Sequence, residues 1–253
     1  MKRLLAAGSG AIYQLCKVFR DGEAGRLHNP EFTMLEWYQP DCDHHALMEM
    51  LSALVRDALA DYTPLADTEK LSYREAFLRY TGIDPFAAST ADMIAWAEER
   101  ATHAGRPPQS LDSSDIDGWR DLVLTHGVEP HLGRGRLTFL YDYPASQAAL
   151  ARVRDGSPAL AERFELYLEG IELANGFNEL TDPREQARRF DGDLARRRAS
   201  GLAPVPRDEF LLAALTHGLP ASAGVALGID RLVMLAAGER DIGAVMSFPL
   251  ARA

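Results

Sequence analysis

A short glycine-bearing stretch near the N-terminus carries side chains suited to binding a polyphosphate. This first segment, residues 19–33, contains Arg20, Arg26, His28 and Asn29. Arginine is always charged and can contact phosphate through two parallel hydrogen bonds, and glycines let a loop approach a ligand closely. Phe32 follows and could stack on a base. By residue type alone, a charged hairpin tip with Phe32 in the core explains the segment better.

Two carboxylates form a second candidate. Glu172 and Glu179 flank Gly176 in the second segment, residues 170–180, which reads Gly-Ile-Glu-Leu-Ala-Asn-Gly-Phe-Asn-Glu-Leu. Carboxylate oxygens suit a Mg²⁺ ion that bridges phosphate oxygens, and one of the two could instead hold a substrate ammonium group. Residue type alone again favours a simpler explanation, two surface glutamates beside a turn.

A third segment, residues 224–235, runs from small residues directly into a predicted helix. It reads Gly-Val-Ala-Leu-Gly-Ile-Asp-Arg-Leu-Val-Met-Leu. Gly228 would let the backbone approach a planar ligand. Arg231, in the first helical turn, could reach a phosphate, and a helix N-terminus favours negative charge, so that Asp230 would interact with the helix dipole. The simpler explanation is a tight strand-to-helix turn with a surface arginine.

Rigid elements are needed to bring these segments together. β-prone residues predict a strand over 10–20, a polar loop over 21–29 and a return strand over 31–38, which form an antiparallel hairpin. Asp43 is predicted to cap a helix that extends to about Tyr62, with apolar residues at helical spacing. Further strands are predicted over 137–143, 164–174 and 222–228, and further helices over 182–200, 207–217 and 229–237.

Residues 63–135 carry no motif with obvious chemistry. Three helices are predicted there, near 72–81, 90–104 and 114–126, with loops at 105–108 and 112–115. We interpret this region as a mostly helical insertion within one domain that spans residues 1–253.

Composition narrows the function classes. The chain has 253 residues, of which 47% are apolar and 25% charged, as in a soluble globular protein with a sizeable core. Its net charge of −10 argues against a tRNA-binding module. The two cysteines, Cys16 and Cys42, lack metal-type spacing and indicate a reduced, cytoplasmic setting. We find neither a membrane span nor a signal peptide in the sequence.

The three segments, in this order, resemble one family. The first resembles motif 2 of the class II aminoacyl-tRNA synthetases, in the lysine-specific form that ends His-Asn-Pro-Glu-Phe-Thr. The third resembles motif 3, Gly-x-Gly-x-Asp-Arg, which continues into Phe248-Pro249. The second resembles the glutamate-bearing segment that precedes motif 3 in the lysyl enzymes. The resemblance covers most of the chain and is least clear over 63–135.

This resemblance implies an α+β fold, in which an antiparallel sheet flanked by helices binds a bent ATP. It implies an enzyme that converts a carboxylate into an aminoacyl-adenylate, with Arg20 and Arg231 as catalytic residues. Arg20 would contact the α-phosphate, His28 and Arg231 the γ-phosphate end, and Phe32 and Arg231 the two faces of adenine. The other implied ATP contacts are Asp21, Gly22, Asn29, Glu172, Leu173 and Gly228.

The same resemblance implies a metal ion and an amino-acid pocket. Glu172 and Glu179 are the implied Mg²⁺ ligands. Tyr38, Glu179 and Ala226 would face the amino-acid substrate, with Tyr38 and Glu179 near its amino groups.

Three features resemble the branch of the family that ligates β-lysine to elongation factor P. No anticodon-binding domain precedes the catalytic part, and residues 143–150, Tyr-Pro-Ala-Ser-Gln-Ala-Ala-Leu, have the form found in that branch. Ala226 stands where the synthetases carry glycine, and in the ligase branch this alanine accompanies a preference for (R)-β-lysine. The implied partners are β-lysine or lysine, elongation factor P as acceptor, and a second copy of the chain in a homodimer.

The chain departs from the family pattern in two places. Family members often carry Arg-Asn-Glu where this chain has Arg20-Asp21-Gly22, so the carboxylate contact to ATP would pass to Glu23 or to the backbone. The chain also begins after motif 1 and after a Ser-Pro-Glu segment, so we expect a fold that lacks the N-terminal motif 1 segment. Two alternatives stay open: a synthetase-like enzyme with another acceptor, such as tRNA or a free amine, and a truncated, non-catalytic remnant.

Overall fold

A mixed β-sheet organises the computed structural model, which describes residues 1–104 and 111–252. Its strands lie in the order β1-β2-β8-β7-β6-β4-β3, and β5 pairs with β6 at one end. The strands are β1 (Ile12–Phe19), β2 (Glu31–Pro40), β3 (Ala66–Ser72), β4 (Arg136–Pro144), β5 (Val153–Arg154), β6 (Leu160–Leu168), β7 (Ile171–Asn178) and β8 (Ser222–Gly228).

Helices flank this sheet and connect its strands. They are α1 (Lys2–Ala6), α2 (His44–Leu59), α3 (Tyr73–Thr81), α4 (Thr90–Ala104), α5 (Ile116–Val123), α6 (Pro183–Ala199), α7 (Glu209–Gly218) and α8 (Ile229–Ala236). Among the described helices, none has both the length and the apolar character required to cross a membrane.

The predicted N-terminal hairpin is confirmed. β1 and β2 pair antiparallel from Ile12 with Tyr38 to Phe19 with Glu31, which leaves the polar loop at the tip. β2 then pairs with β8, where Met34 stands opposite Gly228. The hairpin therefore brings the first and third segments to adjacent positions in the sheet.

The predicted single strand over 164–174 is wrong, because two strands turn there. β6 and β7 are joined at Glu169 and Gly170, whose φ angles are 52° and 75°. Glu169 and Gly170 are poor strand formers, and the alternating apolar positions change phase across them, from 164, 166 and 168 to 171 and 173, so the sequence carries a turn signal that the prediction missed. The second segment is therefore a strand, and Gly176 lies inside it. A Cβ at Gly176 would come within 2.3 Å of the Phe164 ring, so the glycine makes room for that ring.

β3 is a strand that the sequence pattern does not predict, and it lies within the region interpreted as a helical insertion. It pairs parallel with β4, so the sheet is mixed, although the expected fold was an antiparallel sheet. Its sequence, Ala-Asp-Thr-Glu-Lys-Leu-Ser, has few β-branched or aromatic residues, and its pairing in the folded chain overrides that weak propensity. The three helices predicted in this region are present as α3, α4 and α5, whereas the loop predicted at 105–108 lies outside the described residues.

Strand alternation separates two faces of the sheet. One, here called the apolar face, packs against α2, and the other, here called the polar face, carries the polar residues of the site beside an apolar cluster in which α3, α4 and α5 pack on β3, β4 and β6. Asp43 caps α2 as predicted by accepting a hydrogen bond from the Ala46 N–H, and α2 packs on the apolar face against residues such as Phe164, Leu166 and Leu227. Successive residues of a strand point to opposite faces. The residues between these apolar positions, among them Arg163, Glu165, Ala226 and Gly228, therefore belong to the opposite face.

His44, in the first turn of α2, is a buried titratable group away from that polar face. Only 2% of it is exposed, and neither ring nitrogen has a hydrogen-bond partner among the described residues. Burial, followed by the nearby His45, lowers the pKa of His44 from 6.5 to about 4, although Glu162, Asp142 and Asp43 oppose this shift. The folded chain therefore holds this ring neutral.

We expect acid to destabilise the protein through His44. In the unfolded chain the His44 ring binds a proton near pH 6.5, whereas in the folded chain it does so only near pH 4. The contribution of the neutral ring to stability is therefore complete above about pH 6.5 and is lost as the pH falls toward about 4. A pKa shift of this size corresponds to a change of about 3 kcal/mol in the free energy of unfolding. Urea unfolding at about pH 7.5 and about pH 4.5 should show a smaller acid loss for His44→Phe than for wild type. The loss should persist in His217→Gln, an exposed control, and equal losses in all three proteins would contradict the assignment.

Candidate active site

A cavity of about 350 Å³ lies on the polar face of the sheet, where the three segments meet. The first segment supplies its outer wall, β6 and β7 its floor, and the junction of β8 with α8 its far side. Nine of the predicted site residues line it: Arg20, His28, Asn29, Phe32, Glu172, Leu173, Ala226, Gly228 and Arg231. Four others do not: Asp21, Gly22, Tyr38 and Glu179.

Arg231 joins the three segments. Its Nη1 donates to the Glu172 carbonyl oxygen at 2.6 Å, and its Nε donates to the Leu27 carbonyl oxygen at 3.2 Å. Its Nη2 lies 2.8 Å from His28 Nε2, and its Nη1 lies 3.8 Å from the Glu172 carboxylate. These contacts fix the planar, permanently charged guanidinium group of Arg231 at the cavity wall. A bound anion would therefore meet a positioned cation.

The electrostatic setting of His28 favours a neutral ring. Partial burial lowers the pKa of His28, and the charge of Arg231 lowers it further. Neutral imidazole carries one acceptor nitrogen, so Nε2 accepts a hydrogen bond from Arg231 and the other nitrogen remains a donor. His28 can thus donate to a phosphate oxygen without a change of charge.

Arg20 begins the turn that follows β1. Its Nη1 lies 3.2 Å from Glu23 Oε2, and its guanidinium group lies over the Phe32 ring, 5.5 Å from the centroid. More than half of the Arg20 side chain is exposed, so a ligand can reach it. Asp21 and Gly22 lie at the exposed tip away from the cavity walls, whereas Glu23 lines the cavity. Glu23 therefore presents to the cavity the carboxylate that Gly22 lacks.

Asn29 and Asp230 hold the backbone around the cavity. Asn29 is buried, donates to the Glu31 carbonyl oxygen at 2.6 Å and accepts from the Leu250 N–H at 2.9 Å. Asp230 accepts from the Thr33 N–H at 2.5 Å, which ties the start of α8 to β2. These side chains keep the first and third segments together.

Glu172 presents a carboxylate to the cavity. Its side chain is 38% exposed because it lies on the cavity wall. Burial of the site and then the neighbouring Glu165 raise the pKa of Glu172, whereas Arg231 opposes the shift. A cation bound nearby would favour the charged form of this carboxyl group, which burial and Glu165 disfavour.

Glu165 is a site residue that the sequence motifs missed. It is buried on β6, where its Oε2 lies 2.6 Å from both the Tyr143 and the Tyr167 hydroxyls. Its Oε1 accepts from Arg163 at 2.5 Å and from Asn175 at 3.3 Å. One sequence signal could have found it: Glu165 stands between apolar residues at the start of the strand predicted over 164–174, two residues after Arg163, a spacing that places both charges on one face.

The carboxylates suit a divalent cation held jointly with phosphate. No cluster of three or more histidine, cysteine, aspartate or glutamate side chains with metal-binding geometry occurs in the described part of the chain. Mg²⁺ usually takes only one or two protein carboxylates and completes its shell with phosphate oxygens and water. Glu172 and Glu165 line the same cavity, and Asn175 Oδ1 lacks a hydrogen-bond partner within the described residues. This donor set fits Mg²⁺.

A second polar subsite adjoins the cavity around Glu179. This carboxylate is 3% exposed, and its Oε2 lies 2.5 Å from the Lys2 ammonium of α1. A Cβ at Gly224 would come within 2.4 Å of Glu179 Oε1 and of the Tyr38 ring, so the glycine allows these groups to meet. Ala226 lies two residues further along β8 and lines the cavity. The contacts favour the predicted amino-acid role of Glu179 over its predicted metal role.

Charge at this subsite is balanced by few groups. Burial raises the pKa of Glu179, and Lys2 opposes that shift. Burial, then the charges of Glu179 and Glu36, raise the pKa of the Tyr38 hydroxyl, which hydrogen-bonds to Glu36. Glu36 and Lys2 were not predicted as site residues, and both carry charge beside Glu179. A substrate with an ammonium group would complete the neutralisation.

Comparisons with known proteins agree with this geometry. A family model described as tRNA synthetases class II (D, K and N) matches residues 1–252. The chain is 50% identical over 253 residues to the "Elongation factor P--(R)-beta-lysine ligase" of Yersinia enterocolitica, covering 100% of this chain and 75% of that protein. Proteins with the same name from Vibrio cholerae and Edwardsiella ictaluri are 49% and 48% identical, again over all of this chain, which covers 76% and 75% of their lengths.

Proposed function

Because the chain belongs to the class II tRNA synthetase family, we propose that it is an ATP-dependent ligase that activates (R)-β-lysine as an adenylate and transfers it to a lysine side chain of elongation factor P. The observation that carries the proposal is the cavity in which Arg231 joins all three segments. The names of its relatives, which match the whole chain, supply the amino acid and the acceptor.

ATP lies in the cavity with its phosphates toward the cations. Arg20 contacts the α-phosphate, and His28 and Arg231 hold the γ-phosphate end. Adenine lies between Phe32 and Arg231, beside the backbone at Gly228. Only ordinary contacts surround the missing Cβ of Gly228, of which the nearest is the Leu173 carbonyl oxygen at 3.6 Å, so the space there is open to a flat ligand.

Glu172 and Glu165 are the residues that would hold Mg²⁺ beside the phosphates. When bound, the ion supplies positive charge that offsets the charge of the polyphosphate. The protein contributes the positions of the carboxylates, which the hydrogen bonds of Tyr143, Tyr167 and Arg163 fix at Glu165.

The reaction has two steps. A carboxylate oxygen of β-lysine attacks the α-phosphorus, and the bond to the β-phosphate oxygen breaks, which gives the adenylate and pyrophosphate. An amine of the acceptor then attacks the adenylate carbonyl carbon, and AMP leaves. The described residues act by positioning the reactants and by stabilising charge that develops on phosphate oxygens.

The subsite around Glu179 binds the amino acid. Glu179 Oε2 is paired with Lys2, and Oε1 lies against Gly224 near the Tyr38 ring, where the substrate ammonium would bind. Ala226 separates this subsite from the nucleotide and places a methyl group where the carbon chain of the substrate runs. The spacing of Cys16 and Cys42 supports a cytoplasmic setting, and the family resemblance implies a homodimer for the full-length form that carries motif 1.

Replacing Ala226 with glycine should shift the amino-acid preference from (R)-β-lysine toward α-lysine. Removing one methyl group from a pocket changes discrimination by about 1–3 kcal/mol, or roughly 10-fold to 200-fold. The ratio of kcat/KM for the two amino acids in pyrophosphate exchange measures the shift. Ala223→Gly, on the apolar face of the same strand, is the matched control. An unchanged ratio in Ala226→Gly would place the methyl group outside the substrate pocket.

Pyrophosphate exchange tests the proposed activation step. Purified protein with ATP, Mg²⁺ and (R)-β-lysine should convert labelled pyrophosphate into ATP, and omission of the amino acid should stop the exchange. Absence of exchange would favour the remaining alternative, a non-catalytic remnant. The acidic chain disfavours tRNA as acceptor, because a protein that grips nucleic acid usually carries net positive charge.

A further inference from the structure

A side cleft adjoins the nucleotide cavity and opens to the surface. Arg163, Glu165 and Glu172 line both the cavity and the side cleft, so the two spaces share a wall. The outer part of the side cleft is lined by Asp121 and Glu129 on one side and by residues of α6 on the other. The side cleft therefore provides a path from solvent to the groups that surround the proposed adenylate.

The side cleft attracts cations. Its walls carry five carboxylates, those of Asp121, Glu129, Glu165, Glu172 and Asp193, against two arginines, Arg163 and Arg196. Both arginines are already paired, Arg163 with Glu165 and Arg196 with Asp193. An acceptor that enters as an ammonium group on a long aliphatic chain suits this charge.

Glu129 occupies an unusual backbone position on that wall. It follows the π-helical turn Leu124–Val128 and begins a short 3-10 turn, Glu129–His131. Single π-helical turns occur frequently at functional sites because they shift the following side chains relative to a regular helix. Here the shift places the Glu129 carboxylate in the side cleft.

The hydrogen bonds leave Glu129 free to accept a proton. The Tyr167 hydroxyl lies 3.2 Å from Glu129 Oε1 but 2.6 Å from Glu165 Oε2. A hydroxyl has one proton, and the shorter distance assigns it to Glu165. Asp193 pairs with Arg196 and Asp121 accepts from Gln147. Within the described residues, Glu129 makes no ion pair.

Resting on the proposed function, we propose that the side cleft admits the acceptor lysine of elongation factor P and that Glu129 is the general base that deprotonates its ammonium group. Neither residue type nor motif marks Glu129 in the sequence. Its role follows from its place between solvent and the adenylate, together with its uncommitted carboxylate.

The proton balance requires such a base. The acceptor ammonium must lose one proton before its nitrogen can attack the adenylate carbonyl carbon, and Glu129 takes that proton. The new C–N bond forms, the bond between the carbonyl carbon and the AMP oxygen breaks, and AMP leaves with the electron pair. The nitrogen loses its second proton to water as the amide forms.

The environment of Glu129 favours proton uptake. Burial, followed by the charges of Glu165 and Asp121, raises the pKa of Glu129, while Tyr167 and Arg231 lower it. Glu172 also interacts with Glu129 across the side cleft. A carboxylate that is costly to ionise takes up a proton readily, as a general base must.

Glu129→Gln tests the proposal because the two steps can be measured separately. Pyrophosphate exchange with ATP and (R)-β-lysine should stay within about twofold of wild type. Single-turnover transfer from preformed adenylate to unmodified elongation factor P should slow by about 100-fold or more, the usual contribution of a general base. Glu98→Gln, an exposed glutamate on α4, should match wild type in both assays.

The pH profile distinguishes a base from a structural residue. Transfer by Glu129→Gln should rise about tenfold per pH unit between about pH 6.5 and about pH 9, because it depends on the small fraction of free lysine amine. Transfer by wild type should level off above the pKa of Glu129. A parallel loss of exchange and transfer, or a pH profile identical to that of wild type, would overturn the proposal. Lack of exchange by the wild-type protein would instead overturn the proposed function, and this inference with it.

Discussion

Replacing Arg231 with alanine should slow adenylate formation by about 100-fold to 1,000-fold while the protein remains folded. A positioned donor to the charge that develops in a transition state contributes about this much. Arg231 also holds the Leu27 and Glu172 carbonyl groups and His28, so its loss frees the first segment from β7. Pyrophosphate exchange measures the rate, and the circular dichroism spectrum reports the fold.

The geometry of Arg231 gives this prediction two controls. Arg231→Lys keeps the charge but not the planar guanidinium group, so it should recover only part of the activity, since one compact ammonium cannot reach acceptors that three separate nitrogens contact. Arg198→Ala removes an exposed arginine of α6 and should leave exchange unchanged. Wild-type exchange by Arg231→Ala would show that the cavity is not the nucleotide site.

Replacing Glu179 with glutamine should reduce amino-acid activation by about a thousandfold and also destabilise the fold. The variant loses the carboxylate that faces the substrate ammonium, and it leaves the ammonium of Lys2 without its partner. Truncating one partner of a buried charge pair costs about 2–5 kcal/mol in binding, and leaving a buried charge unpaired costs about 3–5 kcal/mol in stability. Exchange kinetics and urea unfolding measure the two effects.

The double variant Lys2→Met with Glu179→Gln separates the effect on amino-acid activation from the effect on stability. It should recover most of the lost unfolding free energy, because no unpaired charge remains in the subsite, yet it should not recover activation of β-lysine. Glu98→Gln serves as the control for the amide substitution itself. If the double variant activates β-lysine at the wild-type rate, Glu179 is a structural partner of Lys2 and not a substrate ligand.

The sequence predicted the elements that contain whole motifs. The N-terminal hairpin, the helix capped by Asp43 and the junction of β8 with α8 follow from alternation, capping and helical spacing within each segment. These elements carry Arg20, His28, Phe32 and Arg231, which line the predicted cavity. Local patterns were sufficient there because each motif lies within one continuous stretch of the chain.

Residues placed by tertiary contacts could not be predicted in the same way. β3 has weak β propensity and exists because it pairs with β4. Glu165 reaches the site only because β6 and β7 pair in the register that sets it opposite Asn175. Glu129 depends on a π-helical turn, and Lys2 on packing of α1 against α7, which no local pattern encodes.

The central claim is the transfer of β-lysine to elongation factor P, and intact-protein mass spectrometry tests it most directly. Unmodified elongation factor P should gain the mass of one lysyl group when incubated with this protein, ATP, Mg²⁺ and (R)-β-lysine. A matching elongation factor P with its acceptor lysine replaced by arginine should gain none. An unchanged mass of elongation factor P, together with charging of tRNA in the same mixture, would contradict the account.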